Sequence, residues 1–213
     1  MMKITTMQVE PIGTNCYLVL DEDESLCAVI DPGGSAGMIA DAIAAARCAP
    51  VCILLTHGHF DHVGGVEDLR RRFPGLPVYL NSRDVRHSLL SPRQNGMSDR
   101  ELFPPIRGDV RNYDEGDTVR VGGLTFEVLA TPGHTPGGVT LKCGNALFCG
   151  DTLFAGSCGR TDFPGGSMPQ MMDSLRKLGN LPGNYQVYPG HMEPTDLACE
   201  RSMNPYLLQA MKG

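Results

Sequence analysis

The chain has 213 residues, 41% apolar and 20% charged, as expected of a globular protein with one well-buried core. Its formal net charge is −6 and its densest basic run is the short "LRRRF" at 69–73, which argues against nucleic acid as a partner. No apolar run approaches the roughly 20 residues a membrane helix needs. "MMKITTMQVE" lacks the apolar stretch of an export signal, and the eight cysteines form no CxxC pair and read as reduced, mostly buried thiols, so the expected setting is the cytoplasm, away from membranes.

Along the chain, "MKITTMQVE", "NCYLVL" and "LCAVID" alternate with turn signals and read as strands, ending at Asp31-Pro32-Gly33-Gly34. Ser35 is the expected N-cap of a helix of about twelve residues. That helix carries an apolar stripe of Met38, Ile39, Ala42, Ile43 and Ala46 and stops before Pro50. "VCILL" (51–55) is apolar on both faces, as a central buried strand would be. Val66, Leu69 and Phe73 mark a short amphipathic helix ending at Pro74-Gly75, followed by a strand at "PVYLN" and a helix at "SRDVRHSLL". Residues 91–112 read as a long surface loop. Strands follow at "DTVRV", "LTFEVLA", "VTLKC" and "ALFCG", then the glycine-rich loop "FAGSCGRTDFPGGS". Ser167 caps a helix with Met171, Leu175 and Leu178 on one face, "YQVYPGH" is the last strand, and a final helix runs near Thr195–Asn204. Two blocks of strands, each followed by helices, imply an α+β chain in which two sheets face each other with helices outside. With no linker or low-complexity tract, residues 1–213 read as one domain.

"THGHFDHVGG" (56–65) holds three of the six histidines. His57 and His59 are two apart, a spacing that suits a loop leaving a strand, where alternate side chains point the same way. Asp61 and His62 would then face a second position. His134 follows "LTFEVLA", Asp151 follows "ALFCG" and His191 follows "YQVYPG", so each lies beyond the carboxyl end of an apolar run, as His57 does. One sandwich edge would collect them all. Imidazoles and carboxylates without a positioned thiolate suit zinc, iron or manganese, and a two-metal hydrolytic site with Asp151 as the bridge follows, its shared water acidified towards hydroxide. His87, without ligand types nearby, reads as a surface or packing residue.

"THGHFDH", "GHTPGG", "GDTLF" and "YPGH", in this order, resemble the metallo-β-lactamase superfamily across essentially the whole chain. The resemblance implies a four-layer αββα sandwich with a binuclear centre of two divalent ions, zinc foremost, iron or manganese being compatible. His57, His59 and His134 would form the first metal site, and Asp61, His62 and His191 the second, with Asp151 shared and Asp61 also catalytic. "GDTLFAGSCGRTDFPGGS" and "ERSMNPYLL" are similar to short glyoxalase II-like (hydroxyacylglutathione hydrolase-like) proteins. These imply hydrolysis of S-D-lactoylglutathione or a related thioester by a metal-bridging hydroxide. The thiolate, with a thiol pKa of about 8.5, leaves without strong acid help.

Full-length glyoxalase II carries a helical C-terminal domain that supplies part of its glutathione site. Only 22 residues follow His191 here, so no separate substrate domain is expected. Arg160 stands where those enzymes place a basic glutathione-binding residue, and it could equally pair with Asp162 to shape its loop. Two rival classes stand beside the hydrolase. Persulfide dioxygenases share the HxHxDH pattern and a "CGRTDF"-like stretch and would use one iron on His57, His134 and Asp151. A non-catalytic metal-binding module is the other.

Overall fold

Burial with a period of two builds the layers. The structure, a computed structural model, describes residues 2–23, 25–87 and 105–212. One sheet runs β1 (Lys3–Val9), β2 (Thr14–Leu20), β3 (Leu26–Ile30), β4 (Ala49–Leu54), β5 (Val78–Tyr79) and β6 (Val110–Arg111), side by side in chain order. In β2 the even residues Cys16, Leu18 and Leu20 face one apolar cluster, whereas Tyr17 and Val19 face another. β3 and β4 divide in the same way: Val29 and Ile53 point to the first cluster, Ile30 and Leu54 to the second. These strands are buried on both faces, which explains why β4 carries no polar alternation.

The first cluster is closed by α1 (Ala36–Ala46) and α3 (Val66–Arg72), through Ile39, Ile43, Val66 and Leu69. Between those helices, α2 (Phe60–Val63) is a single turn, and α4 (Ser82–His87) follows β5. The second sheet contains β7 (Thr118–Val121), β8 (Leu124–Ala130), β9 (Val139–Cys143), β10 (Ala146–Gly150), β13 (Gln186–Pro189) and β14 (Thr195–Asp196), in the order β14-β13-β10-β9-β8-β7. Phe126, Val128 and Phe148 pack towards the first sheet. Leu129, Leu147 and Cys149 point the other way, onto Met171, Leu175 and Leu178 of α5 (Met168–Gly179), Leu197 of α6 (Leu197–Met203) and Leu207 of α7 (Pro205–Lys212). Three apolar layers between helix, sheet, sheet and helix are the expected αββα sandwich. A small hairpin, β11 (Leu153–Phe154) with β12 (Ser157–Cys158), stands beside it.

Strand direction places the site. β3 and β4 are parallel, β10 and β13 are parallel, and β8 runs with β10 because both are antiparallel to β9. The carboxyl ends within each sheet therefore point to one edge. There the sheets are stitched together: the Asn15 backbone N–H donates to Gly190 O (2.8 Å), the Tyr17 hydroxyl to Pro189 O (2.5 Å) and the Val139 N–H to Thr56 O (2.9 Å).

Several expectations need correction. Ser35 holds the N-cap position of α1, but in a left-handed conformation (φ 49°) its hydroxyl does not cap the helix and instead accepts from the Glu10 N–H. Met38 is exposed, because the buried face of α1 is Ala36, Ile39 and Ile43. Within the expected 91–112 loop, Val110–Arg111 form β6 by pairing with β5; residues 91–104 lie outside the described residues, as do 88–90 of the expected helix after "PVYLN". "YQVYPGH" is followed by one more strand, β14, and the single helix expected near Thr195–Asn204 is β14 plus α6, with α7 continuing beyond. Among the described residues no helix is long and apolar enough to cross a membrane.

The C-terminal helices reach the hairpin through Asn204, which is fully buried. Its amide donates to Phe154 O, Ser157 O and Glu200 Oε2 (3.2, 2.9 and 2.8 Å), while its carbonyl accepts from the Tyr206 and Leu207 N–H groups at the start of α7. Removing this amide leaves two buried carbonyls and a carboxylate short of a donor. Asn204→Ala is expected to lower unfolding stability by about 2–3 kcal/mol. Urea denaturation measures it, and a loss below about 0.5 kcal/mol would show that the hub contributes little.

Candidate metal centre

Four of the seven expected ligands, His57, His134, Asp151 and His191, sit one to four residues past a strand end. β4 leads into His57 and His59, β8 into His134, β10 into Asp151 and β13 into His191. Asp61 and His62 ride on α2, so this pair is turned by a helical step rather than by an extended loop. Their donor atoms form three overlapping groups, each within 4.8 Å: His57, His59 and His134; His57, His62 and Asp151; Asp61, His62 and His191. In the first, His59 Nδ1 lies 3.1 Å from His57 Nε2 and 2.8 Å from His134 Nε2. In the third, Asp61 Oδ2 lies 3.2 Å from His191 Nε2 and 3.4 Å from His62 Nε2. Asp151 stands between them, with Oδ1 3.4 Å from His62 and Oδ2 3.4 Å from His134 and 3.5 Å from His191.

The ring nitrogens are aimed by what their opposite nitrogens contact. His62 Nδ1 is 2.9 Å from Asp31 Oδ2, and His134 Nδ1 is 2.7 Å from Arg160 O. Each oxygen accepts the N–H there, which turns Nε2 of the ring into the centre. Thr14 donates its hydroxyl to Asp61 Oδ2 at 2.7 Å. Asp31 also accepts from the Thr56 N–H (2.7 Å) and hydroxyl (2.6 Å), which holds it at a positive φ of 50°. Burial pulls the His57 and His59 pKa values well below the usual range, and the neighbouring histidines add to it. Burial would push Asp151 up, but His62 and His134 outweigh it and bring the carboxyl down to about 2. For His62, burial is overcome by Asp31, Asp61 and Asp151, which raise it well above the usual range.

This donor set fits divalent cations. His62 Nε2 and Asp151 Oδ1 are buried without a hydrogen-bond partner, a costly state that a cation between them would relieve. Converging imidazoles, which give up their protons when they bind a metal, and ionised carboxylates are borderline-metal chemistry. A family model described as the Metallo-beta-lactamase superfamily matches residues 9–191. The chain belongs to that superfamily.

Among curated relatives, the hydroxyacylglutathione hydrolase GloC of Haemophilus influenzae is 36% identical over 213 residues, covering 97% of this chain and 98% of its own length. The hydroxyacylglutathione hydrolase of Salmonella typhi is 39% identical over 177 residues, covering 83% of this chain but 61% of that protein. Among solved structures, the BLEG-1 B3 metallo-beta-lactamase superposes with a TM-score of 0.84 at 36% identity, covering 97% of this chain and 99% of the other. TTHA1623 in a di-iron-bound form gives 0.80 at 36% identity, covering 95% and 99%. ETHE1 from Myxococcus xanthus gives 0.77 at 29%, covering 99% and 90%.

Beside these donor groups lies a cleft of about 550 Å³, walled by Ile12, Phe60, Phe154, Cys158, Arg160 and Phe163. Arg160 lines the cleft, stacked 4.0 Å over the Phe163 ring, and it holds Asp162 through two hydrogen bonds of 2.7 and 2.6 Å, the loop-shaping pair that was one of its two readings. The side chain of His87 lies outside the described residues.

The supporting residues were missed in the sequence: Asp31, Thr56, Thr14 and Asp84. Asp31 had a readable signal, since it ends the apolar run "LCAVI" as Asp151 ends "ALFCG". Gly190 is equally constrained, because a Cβ there would lie 2.3 Å from Asp151 Oδ1 and 2.7 Å from His62 Cε1. Gly190→Ala is therefore expected to displace both side chains and lower retained metal at least tenfold after dialysis. Elemental analysis reads the result, and undiminished metal would mean that the pocket yields at no cost.

Proposed function

We propose that this chain is a glyoxalase II-like thioester hydrolase acting on S-D-lactoylglutathione or a related small thioester. One observation carries the reading: two donor triplets, with Asp151 between them, open onto one cleft large enough for a substrate of this size. The full-length likeness to a protein named hydroxyacylglutathione hydrolase supports the choice of substrate class.

In this reading His57, His59 and His134 would hold one divalent ion and Asp61, His62 and His191 a second, with Asp151 available to both and zinc suited to the donors. Ions held there would supply Lewis acidity and acidify water. Asp61, kept ionised against burial chiefly by the neighbouring His62 and oriented by the Thr14 hydroxyl, serves as the catalytic carboxylate by accepting a proton or hydrogen bond from the attacking water. The phenyl rings of Phe154 and Phe163 exclude water on either side, lying 6.2 Å from His191 and 5.8 Å from His59 between ring centroids. Arg160 meets a glutathione carboxylate from the rim. In this reading the described sandwich is one domain whose own residues wall the cleft.

Elemental analysis paired with a thioester-hydrolysis assay on the same sample tests the reading. Two metal ions per chain with lactoylglutathione turnover are expected. One iron per chain with sulfite formed from glutathione persulfide would assign the chain to the dioxygenase class, and a metal-replete protein inert towards all of these would be a binding module. Asp61→Ala removes the one carboxylate belonging to the second triplet alone and should lose that ion first; equal loss of both would sink the binuclear assignment.

Arg160 separates glutathione from other thiols. An exposed guanidinium–carboxylate contact contributes about 1 kcal/mol. Arg160→Ala should therefore raise KM for the glutathione thioester about fivefold with kcat nearly unchanged, while a small thioester without those carboxylates is cleaved equally by both proteins. If both substrates suffer alike, Arg160 serves to shape its loop through Asp162.

A further inference from the structure

The three nitrogens of the first triplet come from two loops, His59 and His134 lying 75 residues apart in sequence. Besides the Val139 N–H to Thr56 O bond between the sheets, one carboxylate joins those loops. Asp84 lies on α4 and is 1% exposed. Its Oδ2 accepts from the Gly58 N–H at 2.9 Å and from the Thr135 hydroxyl at 2.8 Å, and its Oδ1 accepts from the Gly137 N–H at 2.6 Å. Gly58 lies between His57 and His59, and Thr135 follows His134. A single oxygen thus spans both loops, and the other fixes the turn beyond His134. The fit is tight on the backbone side: a Cβ on Gly137 would lie 2.6 Å from Asp84 Oδ1.

All three groups facing this carboxylate donate to it. Only an acceptor with two oxygens satisfies them, and an amide of the same shape would turn a donor against a donor on one side. α4 is itself anchored, since the Asn81 side chain donates to Tyr113 O at 3.0 Å and accepts from the Arg83 N–H at 3.0 Å. None of these groups belongs to the other triplet. There Asp61 is held by Thr14, and His62 by Asp31.

We propose that Asp84 is the positioning residue of the first metal site, setting the spacing of His57, His59 and His134 while leaving the site of Asp61, His62 and His191 to separate supports. The inference rests on the metal centre proposed above. The carboxylate does not touch substrate or metal; it acts through the two loops it joins.

Zinc titration of the metal-free protein, followed by NMR of the histidine ring nitrogens, resolves the two sites without measuring turnover. Asp84→Asn is expected to weaken zinc binding at His57, His59 and His134 by tenfold or more, within the range found when groups that orient ligands are removed. Binding at His62 and His191 should stay within about twofold, and the metal-free variant should remain folded. Thr135→Val, which removes one arm of the clamp, should give a smaller loss at the same three histidines, and it decides the matter alone if Asp84→Asn does not fold. Equal weakening of both sites, or of neither, overturns the proposal. A wild-type protein that binds fewer than two zinc ions overturns the metal centre itself, and this inference with it.

Discussion

The structure depends on how two separate sheets are held together along one edge. Seven polar side chains can meet only if strand ends from both sheets arrive at the same place, and side-chain packing alone is too non-directional to fix that register. Directional bonds do so. Asn15 illustrates the economy of the solution: its backbone joins Gly190 and its amide donates to Pro189 O and Met192 O, so the residues on both sides of His191 are tied to the start of β2. Tyr17, two residues on, adds its hydroxyl to the same carbonyl while its ring packs edge-on to Phe148 and Tyr188. The inter-sheet core and the stitched edge are therefore built by neighbouring residues of one strand.

That edge holds an electrostatic load. Asp31, Asp61, His57, His59, His62 and His134 are all at most 5% exposed, and burying such groups is unfavourable unless each finds a partner. Part of the compensation is internal, as in the Asp31–His62 and Thr14–Asp61 contacts. The remainder is a cluster of lone pairs and negative charge directed at common points, which only cations complement. Folding and metal binding are then thermodynamically coupled, because the unfolded chain offers no such cluster.

How much of this was legible in the sequence follows from where the information resides. β2, β3, β4, β8 and β10 carry their own signal, since apolar residues on both faces can belong only to strands between two layers. Of the proposed ligands, His57, His134 and Asp151 could be read because each follows such a strand. By contrast, β6 and β14 are two residues each and are strands only by virtue of the neighbour they pair with. α2 is one turn, too short for any periodicity, so Asp61 and His62 read as loop residues. α7 had a usable start signal, Asn204 before Pro205, a capping residue ahead of a proline in the first helical position. Asp84 had none: an acid in the first turn of a short helix looks like ordinary helix chemistry, and what it faces is decided by loops 26 and 51 residues away.

Asp31 and Asp84 divide the work in a way that clarifies the centre as a whole. Each is a buried carboxylate that accepts three hydrogen bonds; Asp31 stands behind His62 directly and behind His57 through the Thr56 hydroxyl, whereas Asp84 stands only behind the loops of the first triplet. They differ in kind. Asp31 bonds directly to a ligand ring and places its full charge beside His62, so it sets both the aim and the basicity of that imidazole. Asp84 bonds to backbone and hydroxyl groups, so it fixes loop geometry without touching a ring. In the proposed centre the spacing of the His57, His59 and His134 loops therefore answers to Asp84 alone among the two carboxylates, while Asp31 couples His62 to His57 through one hydroxyl.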